Sequence, residues 1–264
     1  MSLNPLSWIN LAGTWSVVGV SLSLPVETVR WMLPAGAELG PQPYTPQGEH
    51  PVVLYFGSLF GAHLTFPRVL INNVNYREQI VGIPYVYTRG RSGPVGPYFF
   101  MPQLYLNDAL FTLGGRLVWG FAKNLARIVE TPVDGKPDAL RYAVQTVRGR
   151  LPVIEAEWTP QGPAEPVLNN PLFKAQLAIM RQPLLAQKPL LFNSYFTCSD
   201  FSKSWPGATV RPVAAESLVQ AEFVAGLPTG KRVYTPLDAS NPLGAFHLRA
   251  QWNLDLPSVC GWSP

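Results

Sequence analysis

Runs of β-branched and aromatic residues, separated by Gly, Pro and Asn, dominate the hydrophobic pattern of the chain. Such runs are typical of strands, and the turn residues between them mark the strand ends. They predict strands at 51–60, 69–79, 80–88 and 96–106, a hairpin over 139–158, and further strands at 190–198, 216–224 and 244–256. The pattern therefore indicates a protein built mainly of short β-strands.

Helix signals are few and short. One candidate lies between Pro25, which suits a first helical turn, and Pro34, which ends it. A second begins at Asn107 or Asp108 as N-cap, and a third spans 171–182 with a broad apolar face. Many strands with few helices predict one β-rich α+β domain over the whole chain, residues 1–264, with its sheet curled into a cone or barrel.

The composition adds a constraint on burial and on partners. Hydrophobic residues make up 47% of the chain and charged residues only 14%, well below the usual quarter for soluble domains. We therefore expect extensive burial or assembly into a homo-oligomer. The net charge of +4 is dispersed, so no nucleic-acid surface is expected, whereas small anionic substrates are favoured.

The amino-terminal stretch is apolar, but it lacks the basic start of a secretory signal and is interrupted by Asn, Pro and Gly. No run of 18 apolar residues occurs, so no membrane span is expected. Two cysteines, Cys198 and Cys260, could form one disulfide. We expect instead two free thiols in a cytoplasmic enzyme, since disulfides are rare in that compartment.

Motifs for metals and nucleotides are missing from the sequence. The three histidines, His50, His63 and His247, are far apart and lack a metal-ligand spacing. There is no GxGxxG or GxxxxGK[ST] phosphate loop and no GxSxG nucleophile elbow. We therefore expect neither a metal nor another cofactor.

Two charged residues stand in apolar surroundings. Lys123 occurs among aromatic and aliphatic residues in "GGRLVWGFAKNLARI", and Glu78 begins the run "YREQIVGIPYVYT". Lys123 either reaches water from a helix end or is desolvated, which lowers its pKa and makes its amine nucleophilic. Glu78 either faces solvent or shares the inward face of a strand with Tyr76 and Ile80.

A family resemblance bears on these alternatives. The segment "YLNDALFTLGGRLVWGFAKNLARI" (105–128) resembles the core of the acetoacetate decarboxylase family, where Gly-Arg-Glu and an aromatic-Pro-Lys lead to a Schiff-base lysine. Upstream, "NYREQIVGIPY" (75–85) is similar to the family's Tyr-x-Glu and Ile-Pro segment, at nearly the same distance from the lysine. Two motifs at matching separation are more specific than either alone, and a weaker likeness covers most of the chain.

The resemblance implies a site and a fold. Lys123 corresponds to the Schiff-base lysine, Glu78 to the active-site glutamate, and Gly115 and Arg116 to the Gly-Arg pair. The family fold is a β-rich cone or closed barrel around a hydrophobic pocket. The resemblance implies that Lys123 and Glu78 are catalytic and that four residues bind substrate: Arg116, Tyr76, Trp119 and Phe121.

The chain also departs from the family pattern. Leu117 replaces a glutamate, Ala122 a proline and Asn124 a second lysine, and no arginine lies near residues 13–16. Without that second lysine, burial is the main means of lowering the pKa of Lys123, with Leu125 as a further wall. The substrate is therefore not fixed by the resemblance.

Three functions are compatible with these residues. The resemblance implies decarboxylation of a β-keto acid through a Lys123 imine, or an aldolase-dehydratase reaction in which a 2-oxo acid such as pyruvate forms the imine. In both, Glu78 orients substrate or carries a proton. The third is a non-catalytic protein that binds an apolar carbonyl compound.

Overall fold

A computed structural model of the protein describes residues 10–65, 71–90, 93–187 and 195–260, apart from the side chain of Pro137. The strands within these ranges are β1 (Asn10–Pro25), β2 (Ala37–Leu39), β3 (Glu49–Leu64), β4 (Val74–Gly90), β5 (Gly93–Leu106), β6 (Lys123–Val133), β7 (Lys136–Thr146), β8 (Ile154–Pro160), β9 (Glu165–Pro166), β10 (Leu184–Gln187), β11 (Phe196–Ser199), β12 (Phe201–Val219), β13 (Gly230–Tyr234), β14 (Phe246–Asp255) and β15 (Ser258–Val259). The α-helices are α1 (Val26–Arg30), α2 (Ala109–Gly114) and α3 (Lys174–Met180).

Nine strands form a closed ring in the order β5-β6-β7-β8-β12-β14-β1-β3-β4, which closes because β4 also pairs with β5. Most neighbours are antiparallel, whereas β5 and β6 are parallel. The predicted curled sheet, a closed barrel with few short helices, is confirmed. Closure pairs a strand near the start of the chain, β1, with one near its end, β14.

Both faces of the sheet are buried over much of its area. In β1, Trp15 and Val17 belong to a cluster inside the ring, while Val18 and Val20 belong to a second cluster on the opposite face. Strands covered on both sides carry nearly continuous apolar runs. This double burial accounts for the low fraction of charged residues.

Four strand predictions need correction. The predicted strands 69–79 and 80–88 are one strand, β4, because bulges in its pairing with β5 absorb Gly82 and Pro84; residues 69 and 70 lie outside the described ranges. Of the strand predicted at 216–224, only residues 216–219 are extended, as the end of β12, which begins at Phe201 and passes the Pro-Gly pair by a register shift against β14. Of the strand predicted at 190–198, residues 190–194 are also outside the described ranges, and β11 begins at Phe196.

The short helices match their sequence signals approximately. Asp108 caps α2, and its Oδ1 accepts a hydrogen bond from the Phe111 N–H at 2.9 Å. After α2 the chain forms a π-helical turn, Gly115–Trp119. Gly120 ends this turn in the left-handed region, with φ 77°. None of the helices in the described ranges has the length and hydropathy needed to cross a bilayer.

The expectation of two free thiols is wrong, because Cys198 and Cys260 form a disulfide. Pairing of β11 with β15 sets Cys198 opposite Ser258 and brings the two cysteine Cα atoms to 5.1 Å, within the range for a disulfide. The bond joins residues 62 positions apart. This proximity depends on strand pairing across a long separation, which spacing alone could not reveal.

Candidate active site

Lys123 begins β6 and is held in the interior by the helical segment before it. Only 7% of the residue is exposed. Its Nζ donates a long hydrogen bond of 3.4 Å to the carbonyl oxygen of Phe111 in α2, and it lies 5.8 Å from the centre of the Phe121 ring. Its side chain passes directly against Gly115. The alternative in which Lys123 reaches water does not hold.

Glu78 lies on β4, two strands from Lys123 across β5, and is 6% exposed. The alternation of β4 places Tyr76, Glu78 and Ile80 on the same inward face. The Tyr76 ring stacks on Phe111, with centroids 4.5 Å apart. The interior position of Glu78 is the one that strand alternation predicted.

A cavity of about 60 Å³ lies between these side chains. Four predicted site residues line it: Lys123, Glu78, Tyr76 and Phe121. The rest of the wall is mostly aromatic and aliphatic.

Burial dominates the electrostatics of the Glu78–Lys123 pair. Burial raises the pKa of Glu78 from 4.5 to about 7, although Lys123 and the nearby Trp15 indole N–H oppose the rise. Burial lowers the pKa of Lys123 from 10.5 to about 8, although Glu78 and Asp108 oppose the fall. Trp15 is near enough to favour the carboxylate, but its Nε1 does not reach hydrogen-bond geometry with any described residue. Near neutral pH, both groups therefore exchange protons readily.

The backbone around Glu78 is supported from the opposite face of the sheet. Gly57 pairs with Glu78 across β3 and β4. The Tyr142 hydroxyl lies 3.0 Å from the Gly57 carbonyl oxygen and 2.9 Å from that of Glu78, and it can donate to either. Because Gly57 has no side chain, the Trp15 indole N–H can approach the strand pair at this point. These contacts fix the direction of the Glu78 side chain.

Three residues expected at the pocket lie elsewhere. Arg116 is exposed and lines a separate groove, because the π-helical turn directs it away from Lys123. Trp119 is buried, but its Nε1 donates to the Asp255 carbonyl oxygen at 2.8 Å and it does not line the cavity. Leu125 is 40% exposed on the outer side of β6. Of the three apolar side chains expected around the Lys123 amine, Trp119, Phe121 and Leu125, only Phe121 therefore lines the cavity.

Sequence reasoning missed a second lysine, Lys203, in the cavity wall. Its Nζ donates to the carbonyl oxygens of Met180 at 3.0 Å and Phe201 at 2.9 Å. Although the residue keeps some accessible surface, burial of its amine lowers its pKa from 10.5 to about 7. The signal was present in "FSKSWPG", where Phe201, Lys203 and Trp205 occupy alternate positions and share one face of a strand.

Known structures share this architecture. An acetoacetate decarboxylase from Legionella pneumophila is 14% identical with a TM-score of 0.63, covering 96% of this chain and 87% of that one. The enduracididine biosynthesis enzyme MppR, complexed with the condensation product of pyruvate and imidazole 4-carboxaldehyde, is 17% identical with a TM-score of 0.61, covering 96% and 90%. An acetoacetate decarboxylase-like enzyme from Sphingomonas wittichii RW1 is 11% identical with a TM-score of 0.54, covering 94% and 91%.

No curated protein sequence matches this chain. The sequence model of the acetoacetate decarboxylase family, however, matches residues 5–210, which are 206 of the 264 residues. The matched region contains both Glu78 and Lys123. With the shared fold and the matching sequence in agreement, the chain belongs to the acetoacetate decarboxylase family.

Proposed function

We propose that this protein is a carbon–carbon lyase that acts on a small oxo acid through a Schiff base on Lys123, and that the reaction is decarboxylation of a β-keto acid. One observation carries the proposal. The Lys123 amine is buried in a small apolar cavity, has no ion-pair partner among the described residues, and has a pKa lowered to about 8. Such an amine is partly neutral near physiological pH and can attack a carbonyl carbon.

The proposed steps follow from the groups in the cavity. The Lys123 amine adds to the keto carbon, and loss of water gives an imine, which takes up a proton. The bond to the carboxylate carbon then breaks, and its electron pair moves into the protonated imine. Carbon dioxide departs, and the product that stays on Lys123 is an enamine. A proton from the Glu78 carboxyl, whose pKa of about 7 suits a proton carrier, reaches the enamine carbon, and water hydrolyses the imine. Tyr76 and Phe121 hold the substrate.

Decarboxylation is placed first because it needs only one substrate in the cavity, whereas an aldolase must also admit an aldehyde. The aldolase-dehydratase reaction remains the second candidate because a buried carboxyl beside Lys123 can also remove a proton from an imine. MppR, similar in fold, is described with the condensation product of pyruvate and an aldehyde.

Borohydride trapping tests the proposal. The protein is incubated with acetoacetate or pyruvate, reduced, and analysed by intact mass and peptide mapping. An adduct on Lys123 with release of carbon dioxide from acetoacetate supports the decarboxylase. An adduct with pyruvate, without carbon dioxide release from any β-keto acid, supports the aldolase. The absence of adducts with every oxo acid tested overturns both and leaves a binding protein for an apolar carbonyl compound.

A homo-oligomer and a cytoplasmic location stay predictions. The first rests on exposed Leu110, Leu113 and Leu117, which follow one another at helical spacing. Light scattering after size exclusion measures it directly. The Cys198–Cys260 disulfide is more typical of oxidising compartments, so fractionation of the native host is the appropriate measurement for the second.

A further inference from the structure

Lys203 lies apart from the reacting pair and has no anionic partner among the described residues. An ammonium group has three N–H donors, and two of them reach the carbonyl oxygens of Met180 and Phe201. Nζ also lies 4.2 Å from the centre of the Phe201 ring, a contact that occupies no hydrogen-bond acceptor, so the third N–H can still serve a group in the cavity. Neither Glu78 nor Lys123 contributes to the lowered pKa of Lys203, whose cause is burial alone. Lys203 is therefore electrostatically separate from the Glu78–Lys123 pair.

The wall around Lys203 contains further polar groups without partners in the described part of the chain. Trp252 stands directly opposite Lys203 in the pairing of β12 with β14, so the two side chains share the inward face. The Trp252 indole Nε1, the Tyr55 hydroxyl and the Gln182 Nε2 line the same cavity, each in a residue at most 7% exposed, and none has a hydrogen-bond partner. Unpaired buried donors are costly. A ligand rich in acceptor oxygens would satisfy them.

The position of Lys203 decides which acidic group it can hold. Lys123 lies on β6 and Lys203 on β12, and β7 and β8 separate these strands in the ring. A cation bound to the departing carboxylate would stabilise its charge, which is lost when carbon dioxide forms, and would slow the reaction. An acidic group held by Lys203 is therefore one that the reaction leaves intact.

We propose that Lys203 anchors a second, non-reacting acidic group of the substrate, so that the substrate class is a small oxo acid with two acidic groups. This inference rests on the proposed function. It assigns Lys203 as a substrate-binding residue that sets specificity. The keto carbon of such a substrate faces Lys123, its departing carboxylate lies among apolar side chains, and its far carboxylate reaches the Lys203 wall.

The test compares two substrates of equal chain length, 3-oxohexanedioate and 3-oxohexanoate, which differ in whether the far end is a carboxylate or a methyl group. We expect the wild type to prefer the diacid by roughly 10- to 100-fold in kcat/KM, as for a charged hydrogen bond. Lys203→Met should lose that preference mainly through KM while still forming the Lys123 imine, and Lys203→Arg should retain much of it. Lys174→Met, which removes an exposed lysine outside the cavity wall, should leave the preference unchanged.

Failure of the anchor and failure of the chemistry give different results. If the wild type turns over both substrates equally, or if Lys203→Met keeps the preference, the anchor is overturned while decarboxylation stands. A borohydride adduct on Lys203 instead of Lys123 also overturns it. If no imine forms with either substrate, the proposed function fails. The anchor is then tested alone by measuring the binding of glutarate through the change in tryptophan fluorescence. Binding that is lost in Lys203→Met supports the anchor, and absence of binding to the wild type overturns it.

Discussion

The Lys123 side chain occupies the space that a Cβ atom on residue 115 would need. Were Gly115 replaced by alanine, the new methyl carbon would lie 2.7 Å from Nζ and 2.5 Å from Cε of Lys123, well inside van der Waals contact. Gly115 has ordinary helical dihedral angles, φ −63° and ψ −32°. Alanine here would therefore force the flexible end of the lysine to move, although the backbone conformation would accept it.

Gly115→Ala should displace the Lys123 amine. We expect little change in the free energy of unfolding, because the crowded atoms are the far end of a flexible side chain, and at least roughly tenfold slower imine trapping, since small displacements of reacting groups are costly. Gly114→Ala is the matched control, because a methyl group there meets nothing within 4 Å and alanine favours a helix by about 0.5–1 kcal/mol. Equal trapping rates in the two variants would show that the contact with Gly115 does not position the amine.

Glu78→Gln should separate imine formation from turnover. The variant keeps the side-chain shape but cannot carry a proton, so carbon dioxide release should fall by roughly 10² to 10⁴ while borohydride trapping at Lys123 persists. Unchanged turnover would remove Glu78 from the reaction. The tyrosine beneath it offers a comparison: Tyr142→Phe removes the hydroxyl at the Glu78 carbonyl and should reduce turnover less.

Glu78→Gln should also shift the pH dependence of imine trapping at Lys123. Imine formation requires the neutral amine, so its rate should rise with pH through the Lys123 pKa of about 8. The Glu78 carboxylate raises the pKa of Lys123, so its removal should move the midpoint of the trapping profile to lower pH. A midpoint that stays in place or moves upward would contradict the coupling between the two groups.

Lys123→Met should stabilise the fold in a pH-dependent way. The pKa of Lys123 is about 8 in the folded protein and 10.5 as the ordinary value, so the unfolded chain binds more protons between these values and wild-type stability rises with pH across that window. The free energy of unfolding of the variant should therefore exceed that of the wild type by up to about 3 kcal/mol at pH 7. This difference should disappear near pH 10.5. Denaturant titrations at pH 7 and pH 10 measure this difference. A gain that is equal at both pH values would mean that the amine is not desolvated.

Removal of the disulfide should destabilise the protein without removing the site. A loop of 62 residues corresponds to about 4 kcal/mol by the chain-entropy argument, and measured losses are about 2–5 kcal/mol. The double variant Cys198→Ser, Cys260→Ser should show a loss of that size in denaturant titration, with trapping at Lys123 retained. Intact mass under non-reducing conditions checks the premise, since two free thiols would add about two mass units.

Much of the fold and four of the residues that line the cavity could be predicted because they depend on local patterns. Alternation placed Glu78 inside, and Asp108 marked the start of α2. The motif with Lys123 also indicated a buried amine. In these segments the local sequence and the final structure agree.

The remainder depends on pairing between distant segments. β1 carries Trp15 but was not predicted as a strand, because its small and polar residues conceal the alternation. Lys203 was missed because no element was predicted between the strands at 190–198 and 216–224, whereas β12 continues through Pro206 and Gly207 by a register shift against β14. Arg116 was placed at the site by its motif, yet a π-helical turn directs it outward.

Closure of the ring by β1 and β14 also has a consequence for biosynthesis. Trp252 on β14 completes the cavity wall beside β1, so the enclosure cannot form until β14 has been synthesised. Before then the Lys123 amine remains in water, where a lysine keeps a pKa of about 10.4 and is almost fully protonated at neutral pH. The burial that lowers the pKa of Lys123 thus depends on a strand that follows it far along the chain.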